Sequence, residues 1–110
     1  MLWRGETRRV FAYGEALDLR RSFDGLLAVA RNELKEDVLS GSMFLFVNRK
    51  RTLTKIVFWD RTGWCVLAKR LERGTFELRG SGIKRELSAR ELELLLDGVL
   101  RRNARGGKMC

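Results

Sequence analysis

The stretch "MFLFVNRKRTLTKIVFWDRTGWCVLAKR", residues 43–70, decides the fold. It contains three segments rich in β-branched and aromatic residues, 43–48, 55–60 and 64–69, separated by turn chemistry, and so predicts three strands in quick succession. "DRTG" at 60–63 reads as a tight turn, with Gly63 expected at the position that needs positive φ. The basic stretch "RKRTLT" joins the first two segments. This places Arg49, Lys50, Arg51 and Lys55 at or near a hairpin tip, with no acid to oppose them before Asp60.

Upstream, "RRVFAY" at 8–13 reads as a short strand. In "SFDGLLAVARNELKE", Phe23, Leu26, Leu27, Ala30 and Leu34 recur at the spacing of one helical face. Ser22 is its expected N-cap, and Asp24 in the first turn suits the helix dipole. Downstream, "LERG" at 71–74 turns the chain into "TFELR", where Phe76 and Leu78 alternate with polar residues. "GSG" at 80–82 bends it again before a short strand at 83–87. In "LSARELELLL", Ser88 and Glu91 form a capping box, and Leu87 and Leu92 a hydrophobic staple. The expected fold class is α+β: an antiparallel β-meander of about five to six strands with two helices packed on one face. Residues 1–100 are expected to form a single domain, and 101–110 a mobile basic tail containing Arg101, Arg102, Arg105 and Lys108.

Composition narrows the chemistry. The chain has 110 residues, 23 Lys and Arg against 14 Asp and Glu, and a formal charge of +9. A field of that sign on one small domain favours a polyanionic partner. No apolar run approaches the length of a membrane span, and "MLWRGETRRV" has no apolar signal region, so a cytoplasmic protein without a membrane partner is expected. Histidine is absent, and the two cysteines are one inside "WCVLA" and one at the last position. That removes the commonest general base, the usual nucleophile pairs and the usual zinc ligand sets. No metal, cofactor or catalytic residue is therefore assigned.

The cationic tip has a functional and a plain reading. Lysine and arginine on a loop neutralise phosphates and release counterions, and a β-ribbon is narrow enough to enter a major groove. Hairpin tips are also simply solvated, and edge lysines discourage aggregation. The density of charge favours DNA contact by Arg49, Lys50, Arg51 and Lys55, with Lys69, Arg70 and Arg73 in support if they reach the same face. Trp59 and Trp64, which flank the turn, are expected in the core rather than as base-stacking platforms. Asp18, Asp24, Asp60, Glu72 and Glu77 are considered as a two-metal nuclease set. Asp24 is explained as a first-turn acid, Asp60 as a turn former and Glu72 as a partner of flanking cations.

Three blocks in order, "LDLRRSFDGLLAVARNEL", "SGSMFLFVNRKRTLTKIVFWDRTGWCVLAKRLERGTFEL" and "LSARELELLLDGV", resemble the small TnpB-type, Orf2-like accessory protein of the insertion sequence 66 family of transposons. The resemblance covers about residues 10 to 100. Its strongest positions include Asp18, Arg20, Arg21, Phe23, Asp24, Gly25, Arg49, Arg51, Lys55, Trp59, Asp60, Gly63, Lys69, Arg70, Gly74, Phe76 and Gly98. It implies a non-catalytic accessory role in transposition, beside a separate transposase and a second small accessory protein. The loop "DLRRSFDG" is the candidate partner surface, through Asp18, Arg20, Arg21 and Asp24. DNA is the expected ligand of the basic hairpin; an adaptor docking on an acidic face of the transposase is the alternative, and a metal-dependent nuclease a more distant one.

Overall fold

The computed structural model describes residues 8–100; the basic tail lies outside the described residues. The elements are β1 (Val10–Tyr13), α1 (Phe23–Asn32), β2 (Met43–Val47), β3 (Leu53–Trp59), β4 (Trp64–Arg70), β5 (Lys84–Leu87) and α2 (Ala89–Asp97). They form an α+β fold around one five-stranded sheet of order β4-β3-β2-β1-β5.

The sheet is mixed rather than a pure antiparallel meander. β1 runs parallel to β2, with Phe11 opposite Phe44, and every other pairing is antiparallel. The cause lies in the connection. Parallel neighbours need a crossover of a dozen or more residues, and the segment between β1 and β2 is long enough to hold all of α1.

The helices lie on opposite faces, not on one. Leu26, Leu27, Val29, Ala30 and Leu34 from α1 and its exit pack on Phe11, Tyr13, Phe44, Phe46 and Val57. Leu92, Leu95 and Leu96 of α2 pack with Val10, Ala12, Met43, Leu45, Ile56, Phe58 and Phe76. A strand covered on both faces loses its alternation, which is why all five residues of β2 are apolar and buried.

Local signals place the helix ends as expected. The Ser22 hydroxyl accepts from the Gly25 amide to cap α1. Ser88 and Glu91 complete the capping box of α2. Thr75, at the start of "TFELR", is bridged to Val99 beyond α2. One expectation fails: in the 60–63 turn the positive φ falls on Arg61, at 87°, and not on Gly63. Asp60 Oδ1 accepts from the Thr62 and Gly63 amides at 3.1 and 2.9 Å, so its side chain organises the turn and puts the bend one residue after itself.

Among the described residues, no helix is long and apolar enough to cross a membrane.

A candidate nucleic-acid interface at the hairpin tip

The β2–β3 tip is built by Asn48. Its Oδ1 accepts from the amides of Thr52 and Leu53 at 2.9 and 3.1 Å, while its carbonyl accepts from the Arg51 amide. Arg51 takes positive φ, 61°, to close the turn. The tip therefore holds Arg49 and Lys50 exposed at a fixed position rather than on a loose loop.

Opposite stands the loop that leaves β1. The Leu17 amide donates to the Val47 carbonyl, the Leu19 side chain is buried in the α1-side core, and the Leu19 carbonyl accepts from Lys55 Nζ at 2.8 Å. Between loop and tip runs an open groove. Arg20, Arg49, Lys50, Lys55 and Arg70 line it, with Leu17 and Leu53 among its apolar members and, among the described residues, Asp18 as its one acid. Asp18 is held by Arg20, whose Nη2 lies 2.8 Å from Oδ2 and whose backbone amide donates to Oδ1. These bonds from Arg20 push the Asp18 carboxyl well below the usual carboxylate range.

The alternation of the strands sorts the remaining cations. Leu53, Val57 and Trp64 face α1, whereas Ile56, Phe58, Cys65 and Leu67 face α2. Register pairs Leu53 with Arg70 and Thr54 with Lys69. Arg70 consequently joins the groove, and Lys69 projects from the opposite face, where its Nζ donates to the Leu96 carbonyl at the end of α2. Arg51 is engaged with Glu77 at 3.0 Å, outside the groove lining. Arg73 is exposed in the turn after β4, also outside it. The seven cations grouped from the sequence thus divide: Arg49, Lys50, Lys55 and Arg70 converge, and Arg51, Lys69 and Arg73 do not. Lys55 lies on the strand rather than at the tip, half-buried and serving as a tie to the loop. Of the loop residues, Asp18 and Arg20 share the groove with the tip, while Arg21 and Asp24 are exposed at the start of α1 and do not line it.

Sequence reading missed a second cationic cleft. Arg8, Arg9 and Arg61 line it with Glu36, Ser42 and Trp59, at the end of β3 away from the tip. Arg9 is paired with Glu86 at 2.8 Å and lies over the Phe11 ring, so part of this charge serves to cover the sheet. The run of arginines at 8 and 9 was visible, but only folding brings Arg61 to it. Trp59 and Trp64 are half-buried and packed on each other at 5.0 Å, with Phe23 on Trp64 at 6.1 Å. Among the described residues, no three of His, Cys, Asp and Glu are grouped so as to hold a metal ion.

The model of the family described as IS66 Orf2 like protein matches residues 8–106. The uncharacterized protein y4hO of Sinorhizobium fredii (strain NBRC 101917 / NGR234) is 33% identical over 102 residues, covering 90% of this chain and 87% of its own length. A second uncharacterized protein of that strain, y4jC, is 29% identical over 68 residues, covering 62% of this chain and 58% of its own. No solved structure matches the chain. The chain belongs to the IS66 Orf2-like family of insertion-sequence proteins.

Proposed function

We propose that the chain is a non-catalytic, cytoplasmic accessory protein of insertion-sequence transposition that holds DNA in the groove between the β1–α1 loop and the β2–β3 tip, and so helps assemble the transposase complex. The observation that carries this reading is the lining of the groove: among the described residues, Arg20, Arg49, Lys50, Lys55 and Arg70 stand against Asp18 alone. Such a surface attracts a polyanion and gains affinity by releasing its counterions. Its walls are anchored to the core, so the cations are positioned before a ligand arrives. Arginine and lysine on the rim would hold phosphates. The transposase and the second small accessory protein are its partners in the assembled complex, met through the exposed surface around Arg21 and Asp24.

The test is a gel-shift titration of duplex carrying the transposon ends, with wild type and with Arg49→Ala/Lys50→Ala/Arg70→Ala. Loss of the shift in the variant supports the groove. Equal binding by both proteins refutes it. Binding by neither, with wild type captured by the transposase, assigns the basic surface to a protein adaptor instead.

A further inference from the structure

The outer edge of β4 is built to be paired. Among the described residues, β4 ends the sheet, and no backbone hydrogen bond reaches it from any segment but β3 and the turns beside it. Edge strands are usually protected by charge, proline or a bulge. The first five residues of β4, "WCVLA", carry none of these, and Val66 is 44% exposed.

The direction of its free groups follows from the ladder. Asp60 N donates to Gly63 O and Leu71 N to Thr52 O, one pair beyond each end of the β3–β4 register. Bonded and non-bonded pairs alternate along an antiparallel ladder. Cys65, Leu67 and Lys69 therefore exchange bonds with β3, and Trp64, Val66, Ala68 and Arg70 turn their N–H and C=O groups outwards.

We infer that β4 pairs antiparallel with β4 of a second copy of this chain, centred on Leu67, to make one continuous sheet across two subunits. In that register Trp64 stands opposite Arg70 of the second copy and Val66 opposite Ala68. Each of these is a pair whose outward backbone groups meet and exchange both bonds. The cationic end of one strand meets the aromatic end of the other, a favourable cross-strand pairing, and no two cations face each other. Sliding the strands one pair either way shortens the ladder; one of those shifts leaves Trp64 without a partner residue. The two-fold axis is perpendicular to the sheet, so both grooves open on the same side. Their Arg70 residues are separated by six positions along the seam, roughly 20 Å. Using the two grooves together rests on the DNA reading above; the pairing itself does not.

The experiment is sedimentation velocity of the full chain over a range of concentration, with Ala68→Pro for comparison. The Ala68 amide points out of the monomer's ladder, so proline there leaves β3–β4 intact and blocks the seam. Wild type is expected at the mass of two chains, and Ala68→Pro at the mass of one with the far-ultraviolet circular dichroism of a folded chain. Wild type at the mass of one chain throughout, or a variant that keeps the mass of two, overturns the inference. Single cysteines in a Cys65→Ser/Cys110→Ser background give a readout independent of the proline. Leu67→Cys is expected to form a disulfide-linked dimer on mild oxidation, since residues facing each other across the axis are about 4.5 Å apart between Cα atoms. Val66→Cys and Ala68→Cys are expected to remain largely unlinked. Failure of Leu67→Cys to cross-link, or equal cross-linking at all three positions, contradicts the register and the seam. These readouts need no DNA, so they stand or fall apart from the groove.

Discussion

Lys55, rooted in β3, donates from its ammonium group to the carbonyl of Leu19 at 2.8 Å. The bond ties two segments 36 positions apart in the chain and fixes one wall of the groove against the strand that carries the other. Replacing Lys55 by Met keeps the aliphatic stem and removes the tie. The expected loss is about 1.5–3 kcal/mol, the range for a hydrogen bond that involves a charged group. Urea unfolding measures it. Hydrogen exchange should show the loss of protection concentrated in residues 17–20 rather than spread over the sheet.

Asn48 gives a second test of the tip. Its side chain satisfies the Thr52 and Leu53 amides together. Asn48→Ala is expected to cost about 1–2 kcal/mol by leaving both without that acceptor, whereas Asn48→Asp should recover most of the loss. The comparison of the two midpoints separates the acceptor from the size of the side chain.

Glycine positions separate in the same way. Gly74 has φ of 78°, and a Cβ there would stand 2.5 Å from the Val99 carbonyl oxygen. Gly63 has ordinary φ and open space around it. Gly74→Ala is expected to cost more than about 2 kcal/mol, and Gly63→Ala to stay within roughly 0.5 kcal/mol of wild type. Thermal unfolding of the two variants side by side checks this.

The Asp18 carboxyl is depressed chiefly by its side-chain hydrogen bond with Arg20, helped by the Arg20 backbone amide. A lowered folded-state value means that the contribution of this pair is present above the ordinary aspartate range and is lost as pH falls through the folded value. Carbon-detected NMR should find Asp18 still ionised at a pH where an unpaired aspartate is protonated. Arg20→Ala should bring its titration back towards the ordinary range. Because the pair is exposed, the variant should change the acid limb of the stability curve only slightly.

Much of the local structure was legible in the chain. Ser22, Ser88 and Glu91 marked the helix starts because capping is a contact between near neighbours in sequence. The three strands of 43–70 were legible from composition, with ends within two residues of those observed. What failed was long-range. The parallel pairing of β1 with β2 depends on where α1 carries the chain, and the face that α2 covers is the one on which Phe76, whose amide donates to the Arg51 carbonyl, is buried. The basic residues were identified as a set, but their division between two faces required the register of β4 on β3. Once Arg70 is opposite Leu53, Lys69 must point the other way. The loop "DLRRSFDG" was read as a separate partner surface, since nothing local in it reports that Lys55 will hold the Leu19 carbonyl beside the tip.

The most direct measurement is fluorescence-anisotropy titration of end-sequence duplex against salt concentration. It compares wild type, the groove variant Arg49→Ala/Lys50→Ala/Arg70→Ala, and the off-groove variant Lys69→Ala/Arg73→Ala. Each phosphate contact contributes a slope of about −0.9 to log K against log salt. The groove variant is expected to lower the magnitude of the slope by about two to three, while the off-groove variant keeps the wild-type slope. Equal slopes for wild type and the groove variant, or a larger loss on removing Lys69 and Arg73, would place any DNA contact elsewhere and contradict the account.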